Sequence, residues 1–271
     1  MTNPQSHRIH PTALISPEAE LADDVVIGPY TVIEGRVRIG AGCVLRPHVH
    51  LCGPLTIGKN NQVFTGAVLG ERPQHIHYHD EDTGVEIGDD NIFREGVTIH
   101  RGTAQSKLTK IGNANFFMAN THVAHDCRVG NNCILANGAV VGGHCVLEDN
   151  VFLSGNSAIH QFCRVGRLAF LSGVSATTMD IPPFMILQRI NTMMGVNVIG
   201  MRRAGMSHQQ IHAIRRAYHL VYKSRKIVSV ALAEIERELG SVDVVAELVQ
   251  FIRSSKRGIS LSHHNEGNEA A

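Results

Sequence analysis

An aliphatic side chain or Phe recurs at every sixth position through most of this chain. The repeat runs from Ile9 to Leu69, resumes with Ile87, Phe93 and Ile99, and continues unbroken from Ile111 to Leu171. Gly often follows the large residue, and the fifth residue of the hexad is commonly small. Each hexad fits one flat side of a triangular coil, which buries its interior only by stacking on neighbouring coils. The repeat therefore predicts a parallel β-helix with 18 residues per coil.

The composition fits such a core and excludes several classes of protein. Aromatic residues make up 5% of the chain, Trp is absent and Gly occurs 26 times, so aliphatic side chains and tight turns must build the interior. No segment approaches the roughly 20 apolar residues of a membrane span, and the N-terminus lacks the apolar core of a signal peptide. We therefore expect a cytoplasmic protein, and the net charge of +1 gives no reason to expect a nucleic-acid partner.

Five of the six cysteines occupy the small fifth position of their hexads: Cys43, Cys127, Cys133, Cys145 and Cys163. In a reducing compartment these thiols stay free, and their spacing matches no C-x-x-C metal motif. We interpret them as small buried packing residues.

Two polar segments interrupt the hexads, and a different pattern follows them. The predicted fold is all-β with an α appendage. It has a β-helix over residues 1–190 with loops at 75–86 and 102–110, a helical domain over 191–257 and a disordered tail over 258–271. Helical spacing begins after Ser207, a predicted N-cap, and further helices are predicted at 228–239 and from 242 to about 254.

The 18-residue coil brings histidines together. Because residues 18 apart are vertical neighbours, His125, Gly143 and Gln161 form one column, and Asp126 and His144 belong to the adjacent column. His122 and His160 lie at nearby positions.

Clustered histidines suggest acid–base chemistry, because the ordinary pKa of histidine, about 6.5, suits a base near neutral pH. His125 is the candidate base, and Asp126 could fix its tautomer if the strand bends there, since adjacent strand residues otherwise face opposite ways. Gly143 leaves its N–H open to a carbonyl oxygen. No Ser or Cys nucleophile stands beside His125, which favours direct acyl transfer to a hydroxyl.

Several motifs together resemble one family. They are VTIHRGT at 97–103, THVAHDC at 121–127, CILANGA at 133–139, GGH at 142–144, IHQFC at 159–163, IPPF at 181–184 and GVN at 195–197. They are similar to the UDP-N-acetylglucosamine 3-O-acyltransferases of lipid A biosynthesis, hexapeptide-repeat enzymes whose β-helix is left-handed. The resemblance spans nearly the whole chain.

The resemblance implies roles for residues of this chain. His125 is implied as general base and the Gly143 amide as a contact of the thioester carbonyl. Substrate-binding positions are implied at His122, His144, His160, Gln161, Asn197 and Arg203, and Gly173 matches the position that limits acyl length. No cofactor is expected, because the phosphopantetheine of acyl carrier protein carries the 3-hydroxyacyl donor. Homotrimers with active sites between subunits are also implied.

This chain departs from the family pattern around the sugar nucleotide. His75 and His77 stand where the family's first loop carries Asp and Lys, and Ile199 stands where an acidic contact is typical. Ala204 replaces the second of two phosphate-binding arginines. An alternative therefore stays open, in which the same acyl transfer serves another nucleotide amino sugar or another sugar acceptor.

A basic stretch suggests where a partner docks. Residues 189–226 contain no Asp or Glu but eight Arg and Lys residues. Acyl carrier protein is acidic, so this stretch is its predicted docking surface.

A more remote alternative is a zinc enzyme of the hexapeptide carbonic anhydrase type. The H-x₄-H spacing of that family does not occur here, and His75, His77 and His79 alternate in a loop, where solvated imidazoles are the commoner case. We therefore predict no metal at the site.

Overall fold

The computed structural model describes residues 8–262. Short parallel strands stack into three sheets, which form the sides of a triangular prism. Partner residues in successive coils lie 18 positions apart, as His122 and Val140 do. The hexad residues point into this prism and most are fully buried, whereas Ile9, on the first coil, is 42% exposed because no coil covers it. This arrangement confirms the parallel β-helix.

The first sheet comprises β1 Leu14–Ile15, β4 Val32–Glu34, β7 His50–Cys52, β10 Val68–Glu71, β13 Thr98–His100, β16 His122–Val123, β19 Val140–Val141, β22 Ala158–Ile159 and β25 Ala176–Thr177. The second comprises β2 Glu20–Leu21, β5 Val37–Ile39, β8 Leu55–Ile57, β11 Gly84–Ile87, β14 Leu108–Ile111, β17 Arg128–Val129, β20 Val146–Leu147 and β23 Arg164–Val165. The third comprises β3 Val26–Ile27, β6 Val44–Leu45, β9 Gln62–Val63, β12 Ile92–Phe93, β15 Phe116–Phe117, β18 Ile134–Leu135, β21 Phe152–Leu153, β24 Phe170–Leu171, β26 Met185–Gln188, β27 Thr192–Val196 and β28 Leu261–Ser262.

The corners of the prism place many non-glycine residues in the left-handed region of backbone conformation. They recur three residues after the hexad aliphatic, as at Asn120, Asp126 and Asn132, with φ between 55° and 62°. Asn and Asp tolerate this region better than most residues. The corner turns the chain sharply between two flat sides, and Asp126 occupies one such corner.

Both loops have other bounds than the sequence predicts: the first is shifted by three residues towards the N-terminus, and the second is shorter. Gly84–Ile87 forms β11 and Leu108–Ile111 forms β14, so the irregular segments are 72–83 and 101–107. The strand β11 pairs with β14 and with β8. The backbone groups of polar residues such as Glu86 and Lys110 therefore have hydrogen-bond partners, although these segments break the hexad pattern.

Strand pairing also extends past residue 190 and into the first residues of the predicted tail. The strand β27 continues the third sheet past residue 190 by pairing antiparallel with β26. Ser260 N donates to Asp180 O at 3.0 Å, and β28 pairs with β27, so residues 258–262 are tied to the prism. Residues 263–271 of the predicted tail lie outside the described part of the chain.

Within residues 8–262, four helices follow the prism: α1 Val198–Arg203, α2 His208–Tyr222, α3 Val228–Leu239 and α4 Asp243–Arg253. The predicted N-cap Ser207 is confirmed, since its hydroxyl accepts from Gln210 N and the Gln210 side chain accepts from Ser207 N. The short α1 was not predicted. Arg167 fixes α4 to the prism through two hydrogen bonds, of 3.0 and 2.7 Å, to the Glu247 carboxylate.

None of the helices in residues 8–262 has the length and apolar character to cross a membrane.

Candidate active site

His125 and Asp126 form a buried pair at a corner of the prism. Asp126 has φ +62°, and this left-handed corner brings two adjacent side chains to the same side of the chain. His125 Nδ1 lies 2.7 Å from Asp126 Oδ2, and both residues are buried, at 8% and 6% exposure. Nδ1 therefore donates to the carboxylate, which leaves Nε2 as the basic nitrogen.

The second loop holds Asp126 in place. Its carboxylate accepts from Thr103 N at 2.9 Å, from Thr103 Oγ1 at 2.8 Å and from the Ser106 hydroxyl, while Asp126 N donates to Thr109 Oγ1. Burial alone raises the pKa of Asp126, but the hydrogen bonds from His125, Ser106 and Thr103 outweigh burial and hold this pKa well below its ordinary value. The carboxylate is thus a fixed negative charge beside His125.

Two more histidines surround the His125 ring. The His144 ring lies 5.1 Å from it, edge to face, and stacks on Phe162 at 4.5 Å. His144 Nε2 is 3.5 Å from Asp126 Oδ2, and burial lowers the pKa of His144 while the Asp126 charge opposes that shift. His75, from the first loop, contacts the His125 ring at 5.3 Å. The first loop therefore contacts His125, although the loop lies about 50 residues earlier in the sequence.

Gly143 is buried directly against the His125 ring. A Cβ there would lie 2.7 Å from His125 Cε1 and 2.8 Å from Nε2, so only glycine fits without moving the ring. The Gly143 carbonyl accepts from Phe162 N, whereas its N–H has no hydrogen-bond partner within residues 8–262. An unpaired amide beside a basic nitrogen is the arrangement that an oxyanion requires.

His122 occupies a second pocket on the same sheet. Its Nδ1 lies 2.7 Å from Thr98 Oγ1, and its ring lies 4.9 Å from that of His100. Burial, followed by the neighbouring His100 and His125, lowers the pKa of His122 to about 4. Burial also lowers the pKa of His100, whose Nδ1 is buried with no hydrogen-bond partner in the described chain. These two rings are neutral at physiological pH.

Other predicted residues lie at the surface. His160 and Gln161 are exposed, and between them and His125 the described residues show no hydrogen bond or ring contact; His160 Nδ1 instead lies 3.4 Å from Arg257 Nη2. His77 contacts His75 at 5.8 Å. Gly173 is exposed, and a Cβ there would meet only Gly155 O at 3.5 Å.

Asn197 and Arg203 line a separate apolar groove of about 600 Å³ between the third sheet and α1. Asn197 caps α1 by accepting from Gly200 N and also donates to Leu168 O at 2.8 Å. Ile199 and Ala204 line the same groove, so two of the four departures from the family pattern lie together, whereas His75 lies against His125. Nothing in the hexad pattern predicts this enclosure.

Sequence reasoning missed Thr103, Ser106 and His100 as site residues. Thr103 and His100 belong to the VTIHRGT motif, so the family resemblance could have indicated them as site residues. The contact of Ser106 with Asp126, in contrast, depends on how the second loop folds back. Nothing in the hexad register predicts that path.

Two side-chain groups in the described chain are spaced closely enough to hold a metal ion, and neither contains His77 or His79. One is His125, Asp126 and His144; the other is Glu34, His50 and Cys52. The predicted possibility of a site on His75, His77 and His79 therefore finds no support in their spacing.

Comparisons with known proteins identify the family. The profile of UDP-N-acetylglucosamine O-acyltransferase domain 2 matches residues 180–260, and the bacterial transferase hexapeptide profile matches 18–53 and 108–143. An acyl-[acyl-carrier-protein]–UDP-N-acetylglucosamine O-acyltransferase of Syntrophobacter fumaroxidans is 43% identical over 255 residues, covering 93% of this chain and 99% of the relative. This chain belongs to the UDP-N-acetylglucosamine O-acyltransferase family.

Solved structures of the family agree. LpxA from Acinetobacter baumannii superposes with a TM-score of 0.91 at 42% identity, covering 93% of this chain and 99% of that one. The Francisella novicida UDP-N-acetylglucosamine acyltransferase also gives 0.91, at 36% identity and 95% coverage of both chains. The family, the left-handed β-helix and the acyltransferase class predicted from sequence are thereby confirmed.

Proposed function

We propose that this enzyme transfers an acyl chain from acyl carrier protein to the 3-hydroxyl of UDP-N-acetylglucosamine in lipid A biosynthesis, with His125 as general base. The curated relatives carry this donor and acceptor in their names and are 41–44% identical over 93% of the chain. The observation that carries the chemistry is the buried His125–Asp126 pair beside the unpaired Gly143 amide.

The reaction follows from this arrangement. His125 Nε2 takes the proton of the sugar hydroxyl as its oxygen attacks the thioester carbonyl carbon. The resulting oxyanion accepts from Gly143 N–H, and Asp126 stabilises the imidazolium through Nδ1. Collapse breaks the C–S bond, and the proton on His125 passes to the departing thiolate of acyl carrier protein. The products are the O-acylated sugar nucleotide and the free carrier thiol.

Trimer assembly belongs to this proposal. Two apolar side chains next to site residues are exposed: Val140, which pairs with His122, at 41%, and Phe162, which stacks on His144, at 45%. Contiguous exposed apolar surface commonly marks an interface. Covering by neighbouring subunits would also exclude water from His125. Light scattering should give three times the chain mass.

The carrier protein docks, in this proposal, on the basic 189–226 surface. Part of the positive charge of this surface is neutralised by α3: Arg216 pairs with Glu238 at 3.1 Å, and Lys226 pairs with Glu234. Arg202, Arg203 and Arg215 are exposed and carry the remaining attraction. Charge reversal of Arg202 and Arg215, which do not line the groove of Asn197 and Arg203, should raise KM for acyl carrier protein and leave KM for the sugar unchanged.

We also place the enzyme in the cytoplasm, because six free, buried cysteines suit a reducing compartment.

Product analysis tests the reaction. Acyl carrier protein donors are offered with UDP-N-acetylglucosamine and, separately, with other nucleotide amino sugars, and the products are identified by mass spectrometry. Acylated UDP-N-acetylglucosamine, absent with His125→Ala and present with the control His10→Ala on the first coil, is the expected result. Preference for another acceptor would contradict this substrate and favour the alternative that the altered first loop leaves open.

A further inference from the structure

The sixth cysteine, Cys52, differs from the other five. It lies on β7 next to the buried Leu51, so the alternation of strand side chains turns Cys52 and His50 to the outer face of the first sheet. Cys52 is nevertheless only 4% exposed, because Glu71 and the first loop cover it. It is a buried thiol that belongs neither to the prism interior nor to the acyltransferase site.

Strand register places two more ligand-type side chains beside Cys52. Glu34 on β4 is its direct partner across the sheet, and His50 lies two residues before it on the same face. His50 Nε2 is 3.3 Å from Glu34 Oε2 and 3.4 Å from Cys52 Sγ. One imidazole nitrogen thus faces a carboxylate and a thiol at once, and a neutral imidazole has only one N–H to share between them.

The two separations from His50 Nε2 match tetrahedral zinc, and the ligand atoms of all three residues lie within 4.8 Å of one another. Zinc bonds of about 2.0–2.1 Å to nitrogen or oxygen and about 2.3 Å to sulfur place neighbouring ligand atoms about 3.3–3.6 Å apart. We propose that Glu34, His50 and Cys52 form a zinc-binding site outside the acyltransferase centre, with the fourth position open to the adjoining groove.

The surrounding charge favours a cation. The groove, of about 600 Å³, is bordered by both loops and lined by five carboxylates against three arginines. Arg36 pairs with Asp82 and Arg72 with Asp80, while Arg101 donates from Nε to Gly70 O. Glu34 and Glu71 remain beside the cluster without an arginine ion pair in the described chain. Burial and the Glu71 carboxylate raise the pKa of the Cys52 thiol to about 12, and a bound divalent ion reverses this by stabilising the thiolate.

Binding releases one proton from the thiol. Glu71 Oε2 already accepts from Cys52 Sγ at 3.5 Å, so it receives this proton and passes it to solvent as the Zn–S bond forms. The site ties β4 to β7, two coils on the N-terminal side of β13, which carries His100.

Metal titration of the full-length protein tests the site. Protein stripped with a chelator is titrated with zinc chloride in competition with a chromophoric chelator, and cobalt(II) is used to report the ligands by absorption. We expect one zinc per chain at this site and a thiolate-to-cobalt charge-transfer band. Cys52→Ala should abolish that band, and His50→Gln should weaken zinc binding on the order of 100-fold or more, beyond the roughly 10–100-fold cost of losing an outer-shell partner.

Control variants separate this site from others and from misfolding. Glu34→Gln is isosteric and surface-exposed, so it should fold normally and still weaken binding, whereas Cys163→Ala and His212→Gln should leave binding unchanged. Absence of zinc binding by the wild-type protein would overturn the proposal. So would binding that survives Cys52→Ala and Glu34→Gln but is lost in His144→Gln, because the ion would then lie at the His125 cluster.

Discussion

The His125 and His122 pockets lie on the same sheet of one prism but create opposite environments for an imidazole. Asp126, itself held by Thr103 and Ser106, gives His125 a buried negative partner. His122 contacts the Thr98 hydroxyl and the neutral His100 ring, and burial lowers its pKa to about 4. The comparison shows that a carboxylate at a corner, rather than the presence of histidine, distinguishes a candidate base from a neutral hydrogen-bonding residue.

Removal of the His125 imidazole should have the largest effect on activity. His125→Ala should lower kcat by up to about 10⁴-fold, because the variant lacks the imidazole that Asp126 orients to take the hydroxyl proton. Steady-state kinetics with saturating donor measures this, and light scattering checks that the assembly is unchanged. A rate near that of the wild type would assign the base elsewhere.

Removing only the Asp126 charge tests whether the carboxylate is what distinguishes the His125 pocket from the His122 pocket. Asp126→Asn should lower kcat on the order of 10³-fold, because the amide no longer fixes the His125 tautomer or stabilises the imidazolium. The variant also weakens the anchoring of the second loop at Thr103 and Ser106, so thermal unfolding is measured beside kcat. A loss confined to thermal stability, with kcat unchanged, would leave Asp126 a purely structural role.

The fit of Gly143 against the base can be tested directly. In Gly143→Ala the new Cβ would lie under 3 Å from the His125 ring, which must move. A displacement of this kind should lower kcat about 10²-fold while the N–H is retained. Gly155→Ala is a matched control, since its Cβ would meet only Asn137 O at 3.5 Å. Equal losses in the two variants would contradict the proposed contact.

The neutral state of His122 predicts a pH dependence of stability. Its pKa is about 4 when folded and about 6.5 when unfolded, so the unfolded chain binds more protons between these values and stability falls as the pH drops through this window. From pH 7 to pH 5 the free energy of unfolding should decrease on the order of 2 kcal/mol more in the wild type than in His122→Gln. Denaturant titrations at both pH values and one protein concentration measure the difference. Identical decreases would show that His122 does not titrate as described.

The smallest expected effect is on acyl-chain choice. Gly173 is exposed and has room for a side chain, so Gly173→Met should fold normally and shift preference towards shorter acyl donors without lowering kcat for the best donor. Competition between donors of different length measures the profile. An unchanged profile would remove Gly173 from the acyl-binding surface.

Much of the fold was predictable because one local rule repeats. Each hexad contributes one buried aliphatic residue, so the register at Ile111–Leu171 predicts the coils and the vertical neighbours of His125 without further information. The loops were harder, since Gly84–Ile87 and Leu108–Ile111 form strands through backbone pairing rather than through a hydrophobic pattern. The helices at 208–222 and 228–239 followed from amphipathic spacing and, for the first, the Ser207 cap.

The sequence by itself determined the β-helix, the family and the alignment of His125 with Gly143, because these depend on spacing along the chain. Only the tertiary structure decided which side chains meet. The left-handed corner at Asp126 turns its carboxylate towards His125, and the two loops fold back to deliver Thr103, Ser106 and His75. The tertiary structure also places Cys52 beside Glu34, because β4 pairs with β7. Loop paths, and the side chains that meet at a corner, result from contacts between residues far apart in sequence, and a local repeat does not encode them.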